Sequence, residues 1–285
     1  MRFNLFLLFI ILFSVELFSQ DSVKTVNLLE VNNRIKFADY LFCSKDYLRA
    51  AEEYLQIYPY KKTDTIKYKA ALSYLKNEDY VTSYSIFSNF REKSLFYIQA
   101  RQNMFKIFFL NKQYPLLESE YEVDKKKSGF ENVQKLVLSG KLLAADKLPE
   151  YDVYKNSFGD KELEKVSCFY KFRQSPPVKS KLTAGLLSLF PGLGKVYVEQ
   201  YGDGITAFLA TSALTALAVT NFNANHSFRG WLFSGLAAAF YGGSIYGSVA
   251  AVPIYNAKIY FDFNKSVNSF IEENNYFLSD YGFCK

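Results

Sequence analysis

Two long apolar runs in the C-terminal half most constrain the fold of this 285-residue chain. Residues 204–228 and 230–257 contain no Asp, Glu, Lys or Arg, and only Arg229 stands between them. Crossing the hydrocarbon core of a bilayer takes about 20 predominantly apolar residues. The sequence therefore predicts a membrane domain over residues 179–257, with spanning helices at 205–221 and 231–254. The non-membrane alternative buries both helices inside a soluble core.

A shorter apolar segment, residues 182–198, precedes these helices and is interrupted by Pro191, Gly192 and Gly194. This turn is expected to end a helix and reverse the chain. We predict an interfacial or re-entrant segment, in which the backbone groups freed at the break are buried against the helical hairpin. A third span is the alternative, and it would place the C-terminal tail on the opposite side of the membrane.

The second apolar helix carries a ridge of small residues at four-residue spacing, namely Ala239, Gly243, Gly247 and Ala251. Small residues at this spacing let two helices approach closely inside lipid. The ridge is expected to contact the first helix, and association with a second copy of the chain is the alternative. Neither predicted span contains an ionisable residue that would mark an ion path.

The N-terminal half repeats itself with a period of 33 to 34 residues, measured between positions 47, 80 and 114. A tyrosine occupies each of these positions, and an aromatic residue follows seven residues later: Tyr47 and Tyr54, Tyr80 and Phe87, Tyr114 and Tyr121. Ala50 and Ser83 place a small residue three positions after the first two tyrosines, whereas Leu117 departs from the pattern. The apolar positions recur at helical spacing, which predicts pairs of helices.

This pattern resembles the tetratricopeptide repeat (TPR), in which two antiparallel helices meet at a turn ahead of a tyrosine. The resemblance implies an all-α solenoid over residues 21–150, with a concave groove that binds a peptide or a protein. Residues 151–178, which end near Pro176 and Pro177, are interpreted as a linker that can include one short amphipathic helix over residues 160–172. Residues 258–285 are predicted to form an amphipathic tail that packs on the repeats or on the membrane surface.

The membrane half resembles a bacterial family of small domains that have two transmembrane helices and a PGLG-type turn. The matching positions are Pro191, Gly192, Leu193, Gly194, Tyr197, Gly202, Gly204, Tyr255 and Asn256. Lys195 departs from that family, because such turns usually have Gln there. The resemblance implies an integral membrane module of the bacterial cell envelope, and it does not define a biochemical role.

Residues 1–20 are predicted to be a cleaved secretory signal peptide, because Arg2 precedes an apolar run over residues 5–13 and a polar stretch follows. An uncleaved anchor helix is the alternative. Either leader exports the repeats, which places them in the periplasm. The three cysteines, Cys43, Cys168 and Cys284, allow one disulfide and leave one thiol.

No nucleotide-binding loop, dinucleotide fingerprint or zinc motif occurs, and the chain has one histidine. We therefore predict no catalytic residue, no metal ligand and no cofactor, and we do not expect an enzyme. The net charge of +6 includes lysines before the hairpin, which favours contact with anionic lipid and not with nucleic acid.

Two functions remain open from the sequence. The first is an envelope scaffold that binds a protein partner through its repeats. The second is an accessory component of a membrane transport, insertion or pore assembly in which the glycine-rich hairpin is the active part.

Overall fold

The computed structural model describes residue 27 and residues 29–144, 148–277 and 282–284. Across these ranges the chain is helical and has no β-strand, which confirms the predicted all-α class. The predicted signal peptide lies outside the described residues. The described residues divide into two compact units, one formed by those up to residue 107 together with 282–284, and the other by those from residue 108 to residue 277.

The first unit is built from consecutive helices, and each of the first three packs on the next. These are α1 (Val31–Cys43), α2 (Tyr47–Ile57), α3 (Asp64–Lys76), α4 (Tyr80–Phe87) and the first part of α5 (Tyr97–Leu110). The division between the units falls inside α5, and therefore inside the stretch predicted to be one solenoid. The single solenoid stays a prediction.

The second unit contains the end of α5 and all the remaining helices. They are α6 (Tyr114–Asp124), α7 (Glu131–Leu143), α8 (Tyr151–Ser157), α9 (Asp160–Gln174), α10 (Lys181–Leu187), α11 (Leu193–Tyr197), α12 (Tyr201–Asn223) and α13 (Ser227–Glu273). Most of the stretch interpreted as a linker is therefore helical, as α8 and α9. The predicted second span and the predicted tail helix are parts of one 47-residue helix, α13, which continues through Pro253.

The same turn precedes the tyrosine that begins α2, α4 and α6. Lys45, Glu78 and Lys112 adopt the left-handed conformation, with φ of 65°, 62° and 57°. The amide of the next residue then donates to a carbonyl five positions earlier, at 2.9, 3.0 and 2.8 Å. This Schellman turn satisfies carbonyls at the end of one helix, and the aligned tyrosine is the first residue of the next. Glu199 makes the same turn before Tyr201, at the start of α12.

A polar network ties α1, α2 and α3 together in the first unit. Asp39 Oδ1 accepts hydrogen bonds from Lys69 Nζ and from the Tyr54 hydroxyl, each at 2.5 Å. Burial, followed by this bond to a carboxylate, raises the pKa of the Tyr54 hydroxyl well above its usual range. Tyr54 therefore acts as a neutral donor, and Asp39 compensates the largely buried ammonium of Lys69.

The last described residues of the chain dock on the first unit. Cys284 forms a disulfide with Cys43 at the end of α1, across a sequence separation of 241. Phe283 lies 6.4 Å from the Phe42 ring and 6.1 Å from the Tyr68 ring, and Lys69 Nζ lies 4.7 Å from its centroid. Cys168 is the free, exposed thiol. The one bridge that three cysteines allow is therefore present and pairs the first and last of them.

The C-terminal half of α13 packs on α9 through aromatic rings. Phe263 stacks on Phe172 with centroids 4.3 Å apart and meets Phe169 edge-on at 5.9 Å. After α13, the Tyr276 hydroxyl donates to Glu162 Oε1 at 2.8 Å, and Lys135 Nζ bonds the same carboxylate at 2.7 Å. The predicted amphipathic tail is therefore a packed helix end.

We expect acid to loosen this end of α13. Burial alone would raise the pKa of the Glu162 carboxyl, but hydrogen bonds from Lys135, the Gly159 amide and Tyr276 outweigh it and lower the pKa below its ordinary 4.5. A lowered pKa contributes stability that is complete above the unfolded value and is lost as the pH falls through the folded value. The hydrogen-exchange protection of residues 263–273, taken relative to the intrinsic exchange rate at each pH, should therefore fall as the pH falls below about 4.5.

Glu162→Gln should lower this protection already at neutral pH and remove its further fall in acid. Glu164→Gln is the matched control, because Glu164 is exposed on the same helix. Equal acid responses of the wild type and of Glu162→Gln would contradict the assignment.

Candidate functional site

An open groove of about 750 Å³ lies on the first unit, between α2, the start of α3 and the end of α4. Its apolar wall includes Leu55, Ile86 and Phe90. Three basic side chains and one acidic side chain also line it: Lys67, Arg91, Lys93 and Asp64. The groove therefore combines an apolar floor with an excess of positive charge.

Lys67 is one of the three basic residues that line this groove. Its Nζ donates to the Asn89 carbonyl at 2.8 Å and lies 4.6 Å from the Phe90 ring centroid. Burial lowers the pKa of the Lys67 ammonium; Asp64 partly offsets this effect and the positive charge of Arg91 adds to it. Because cations crowd this groove, an anionic group bound there would relieve their repulsion. Sequence reasoning missed the site, since these residues lie on three different elements.

The aligned repeat positions form the inside of the helix pairs and not this groove. Ala50, Tyr54, Ser83 and Phe87 are buried, and the Ser83 hydroxyl donates to the Ala71 carbonyl at 2.9 Å. Leu117, which departs from the pattern, is equally buried. The remaining aligned aromatics are half-buried: Tyr47, Tyr80, Tyr114 and Tyr121.

The PGLG turn packs on the hairpin through glycines that have no room for a side chain. Gly192 has φ +87°, and a Cβ built on it would lie 2.1 Å from the Gly204 carbonyl oxygen. A Cβ on Gly194 would lie 2.5 Å from the Ala184 carbonyl oxygen and 2.8 Å from Ser248 Cβ. The predicted burial of this turn against the hairpin is confirmed. Pro191 and Leu193 flank these contacts and are more exposed, and Gly202 has open space around it.

Tyr197, Tyr255 and Asn256 meet around Lys179, which sequence reasoning did not single out. Asn256 holds the Lys179 backbone with two hydrogen bonds, accepting from its amide at 2.8 Å and donating to its carbonyl at 3.0 Å. Lys179 Nζ lies 4.7 Å from the Tyr197 ring centroid and 5.6 Å from that of Tyr255. Tyrosine and lysine at the end of an apolar helix pair are typical of a membrane–water interface.

Helices α12 and α13 pack on each other, and several of their buried positions are small residues spaced seven apart. These positions are Gly204, Thr211 and Ala218 on α12 and Gly230, Ala237 and Ser244 on α13, whereas Ala251 is buried in a cluster with Ala184 and Val198. Of the predicted ridge, Ala251 is buried, Gly247 faces the Lys195 side chain, and Gly243 has no atom within 4 Å of a built Cβ. Ala239 and Gly243 line an open groove instead.

Helices α12 and α13 are long and apolar enough to cross a membrane. In the most apolar 18-residue stretch of each helix, only 11% of the residues of α12 and 28% of those of α13 are buried. Core helices of a soluble protein are mostly covered, whereas the described residues leave these two helices largely exposed. Exposed apolar surface of this kind is typical of a membrane or protein contact.

The chain matches no family model, no curated protein and no solved structure. The likeness to tetratricopeptide repeats and to PGLG-turn membrane domains therefore depends on the motif residues alone.

Proposed function

We propose that this protein is a membrane-tethered scaffold of the bacterial cell envelope, which binds an acidic segment of a partner protein through its N-terminal helical unit. The observation that carries the proposal is the basic groove around Lys67, Arg91 and Lys93. Its apolar floor suits side chains of a peptide, and its cations suit carboxylates. The hairpin of α12 and α13 anchors the scaffold in the bilayer.

Two crossings fit the contacts better than three. The residues that follow the hairpin pack on residues that precede it, as Phe263 does on Phe172, and Cys284 is bonded to Cys43. A hairpin whose flanks meet in this way crosses an even number of times. Helices α10 and α11 contain 7 and 5 residues, far fewer than a span needs.

Export of the repeats is supported by the disulfide and opposed by the distribution of charge. Disulfides persist in oxidising compartments such as the periplasm and are rare in the cytosol. With two crossings, Lys179, Lys195 and Lys258 share one side and Arg229 lies on the other, whereas basic residues near spans usually stay cytoplasmic. We give the disulfide more weight, because its geometry joins two specific residues, whereas the charge rule is a statistical bias.

Photo-cross-linking in the native envelope tests the partner site. A benzoylphenylalanine at Ile86, which lines the groove, should form a discrete adduct with one partner protein. The double variant Arg91→Glu/Lys93→Glu should reduce that adduct at least about tenfold, because it puts two carboxylates where the partner presents its own.

The matched control Lys36→Glu/Lys62→Glu makes the same charge change at exposed residues outside the groove and should leave the adduct intact. Equal losses in the two double variants would refute a local site. An absent adduct in the wild type would refute the proposed function.

A further inference from the structure

A second groove, of about 440 Å³, lies in the membrane hairpin between the start of α12 and the middle of α13. Lys195 and Asp203 form its polar end, with Lys195 Nζ 3.2 Å from Asp203 Oδ2. Ala207, Ala239 and Gly243 form its apolar wall. We propose that this groove binds a phospholipid with a zwitterionic headgroup, whose phosphate meets Lys195 and whose ammonium meets Asp203. The inference requires the membrane placement of the hairpin proposed above.

At the polar end of the groove, the Lys195 side chain is largely shielded from solvent and the Asp203 carboxylate is exposed. The Lys195 side chain is 19% exposed and crosses Gly247, where its Cε lies 3.3 Å from a built Cβ. An ammonium has three donors, and among the described residues one acceptor, Asp203, bonds to it. The Asp203 carboxylate is 63% exposed and can accept further hydrogen bonds.

A buried hydroxyl in the groove lacks a partner. Ser244 is 4% exposed and lines the groove, and its Oγ has no hydrogen-bond partner among the described residues. One turn later, Ser248 donates to the Ser244 carbonyl at 2.7 Å, which is the usual solution for a serine in an apolar helix. Leaving a buried hydroxyl without a partner is unfavourable. Ser244 therefore adds a buried polar group next to the apolar wall of the groove.

The position of the groove selects a lipid over a soluble ion. Its polar end lies at the start of α12, close in sequence to Tyr197 and Tyr201. Tyrosine is a residue type that marks the level of the lipid headgroups. From there the apolar wall follows the two exposed apolar helices, with Phe240 at its edge 53% exposed. A headgroup with a phosphate alone would face the Asp203 carboxylate without compensation, so charge complementarity favours a headgroup that also carries an ammonium.

Native mass spectrometry of the full chain, released from mixed micelles of defined lipids, tests the site. The probes are phosphatidylethanolamine, phosphatidylglycerol and phosphatidylcholine at equal concentration. We expect the wild type to retain phosphatidylethanolamine, and Gly243→Leu to reduce retention about tenfold by filling the groove. Gly242→Leu is the matched control, because a Cβ at either glycine meets no atom within 4 Å and only Gly243 lines the groove.

Asp203→Asn supplies a second readout that does not depend on packing, since this side chain is mostly exposed. It should shift the preference from phosphatidylethanolamine toward phosphatidylglycerol. Equal retention of all three lipids, a wild-type preference for phosphatidylglycerol, or equal effects of the two leucine variants would overturn the proposal. The lipid measurement does not involve the first unit, so a wild type that shows no lipid preference but still forms the Ile86 adduct refutes this inference and not the scaffold function.

Discussion

Replacing Gly192 or Gly194 with alanine is expected to detach the PGLG turn from the hairpin and to lower the melting temperature in detergent by roughly 10 °C. At Gly192 the added carbon would meet the Gly204 carbonyl oxygen at 2.1 Å, and the φ of +87° is one that residues with a Cβ rarely adopt. At Gly194 it would meet the Ala184 carbonyl oxygen at 2.5 Å. Backbone atoms cannot rotate away, so α10 or α12 must move.

We expect each change to cost about 3–5 kcal/mol, which is at the upper end for single substitutions. Gly202→Ala on α12 and Gly243→Ala on α13 are the controls, because a Cβ at either position meets no atom within 4 Å. They should be neutral or slightly stabilising, since alanine favours helix over glycine. Thermal unfolding in detergent, monitored by circular dichroism, should give lower melting temperatures for the Gly192 and Gly194 variants than for the Gly202 and Gly243 variants. Similar melting temperatures for all four variants would contradict the close packing.

The helices of both halves could be predicted because their signals are local. The tyrosines at positions 47, 80 and 114 each begin a helix, and the uncharged runs correspond to α12 and the first half of α13. The turns ahead of the tyrosines use the non-glycine residues Lys45, Glu78 and Lys112 at positive φ, which the sequence does not indicate. Helix packing on both sides holds them there.

The contact face of α13 could not be predicted because the sequence offers two small-residue periods. Positions 239, 243, 247 and 251 recur every four residues, and positions 230, 237, 244 and 251 recur every seven. Only the second set matches the seven-residue spacing of buried positions on α12, at 204, 211 and 218. Which face of α13 makes the contact depends on the residues of α12, so the sequence of α13 by itself cannot identify that face.

The sequence indicates a linker over residues 151–178 because the apolar pattern of the repeats does not continue there. Several apolar residues of this stretch pack on residues far along the chain. Phe169 and Phe172 face Phe263, about ninety positions later, and Phe158 faces Phe270. The basic groove was missed for a related reason. Lys67 lies on α3, whereas Arg91 and Lys93 follow α4 more than twenty positions later, and only folding brings them together.

Removing the Cys43–Cys284 disulfide is expected to destabilise the first unit by about 2–4 kcal/mol and to release the end of the chain. The bond holds Phe283 against Phe42 and Tyr68, so its loss also removes these ring contacts. In Cys43→Ser/Cys284→Ser, hydrogen exchange of α1 and α3 should quicken, whereas exchange of α12 should not change. Cys168→Ser is the control, because that thiol is free and exposed.

The same disulfide decides between the two orientations of the membrane hairpin. In exported protein the bond forms, so the chain taken directly from cells under alkylation should carry one modified cysteine, Cys168, and should migrate faster on a gel without reductant. In a cytosolic orientation all three thiols would be alkylated, because reducing systems keep thiols free there. Three modified cysteines would refute export and would favour the orientation that the charge distribution prefers. One modified cysteine would place both flanks of the hairpin in the oxidising compartment, which only an even number of crossings allows.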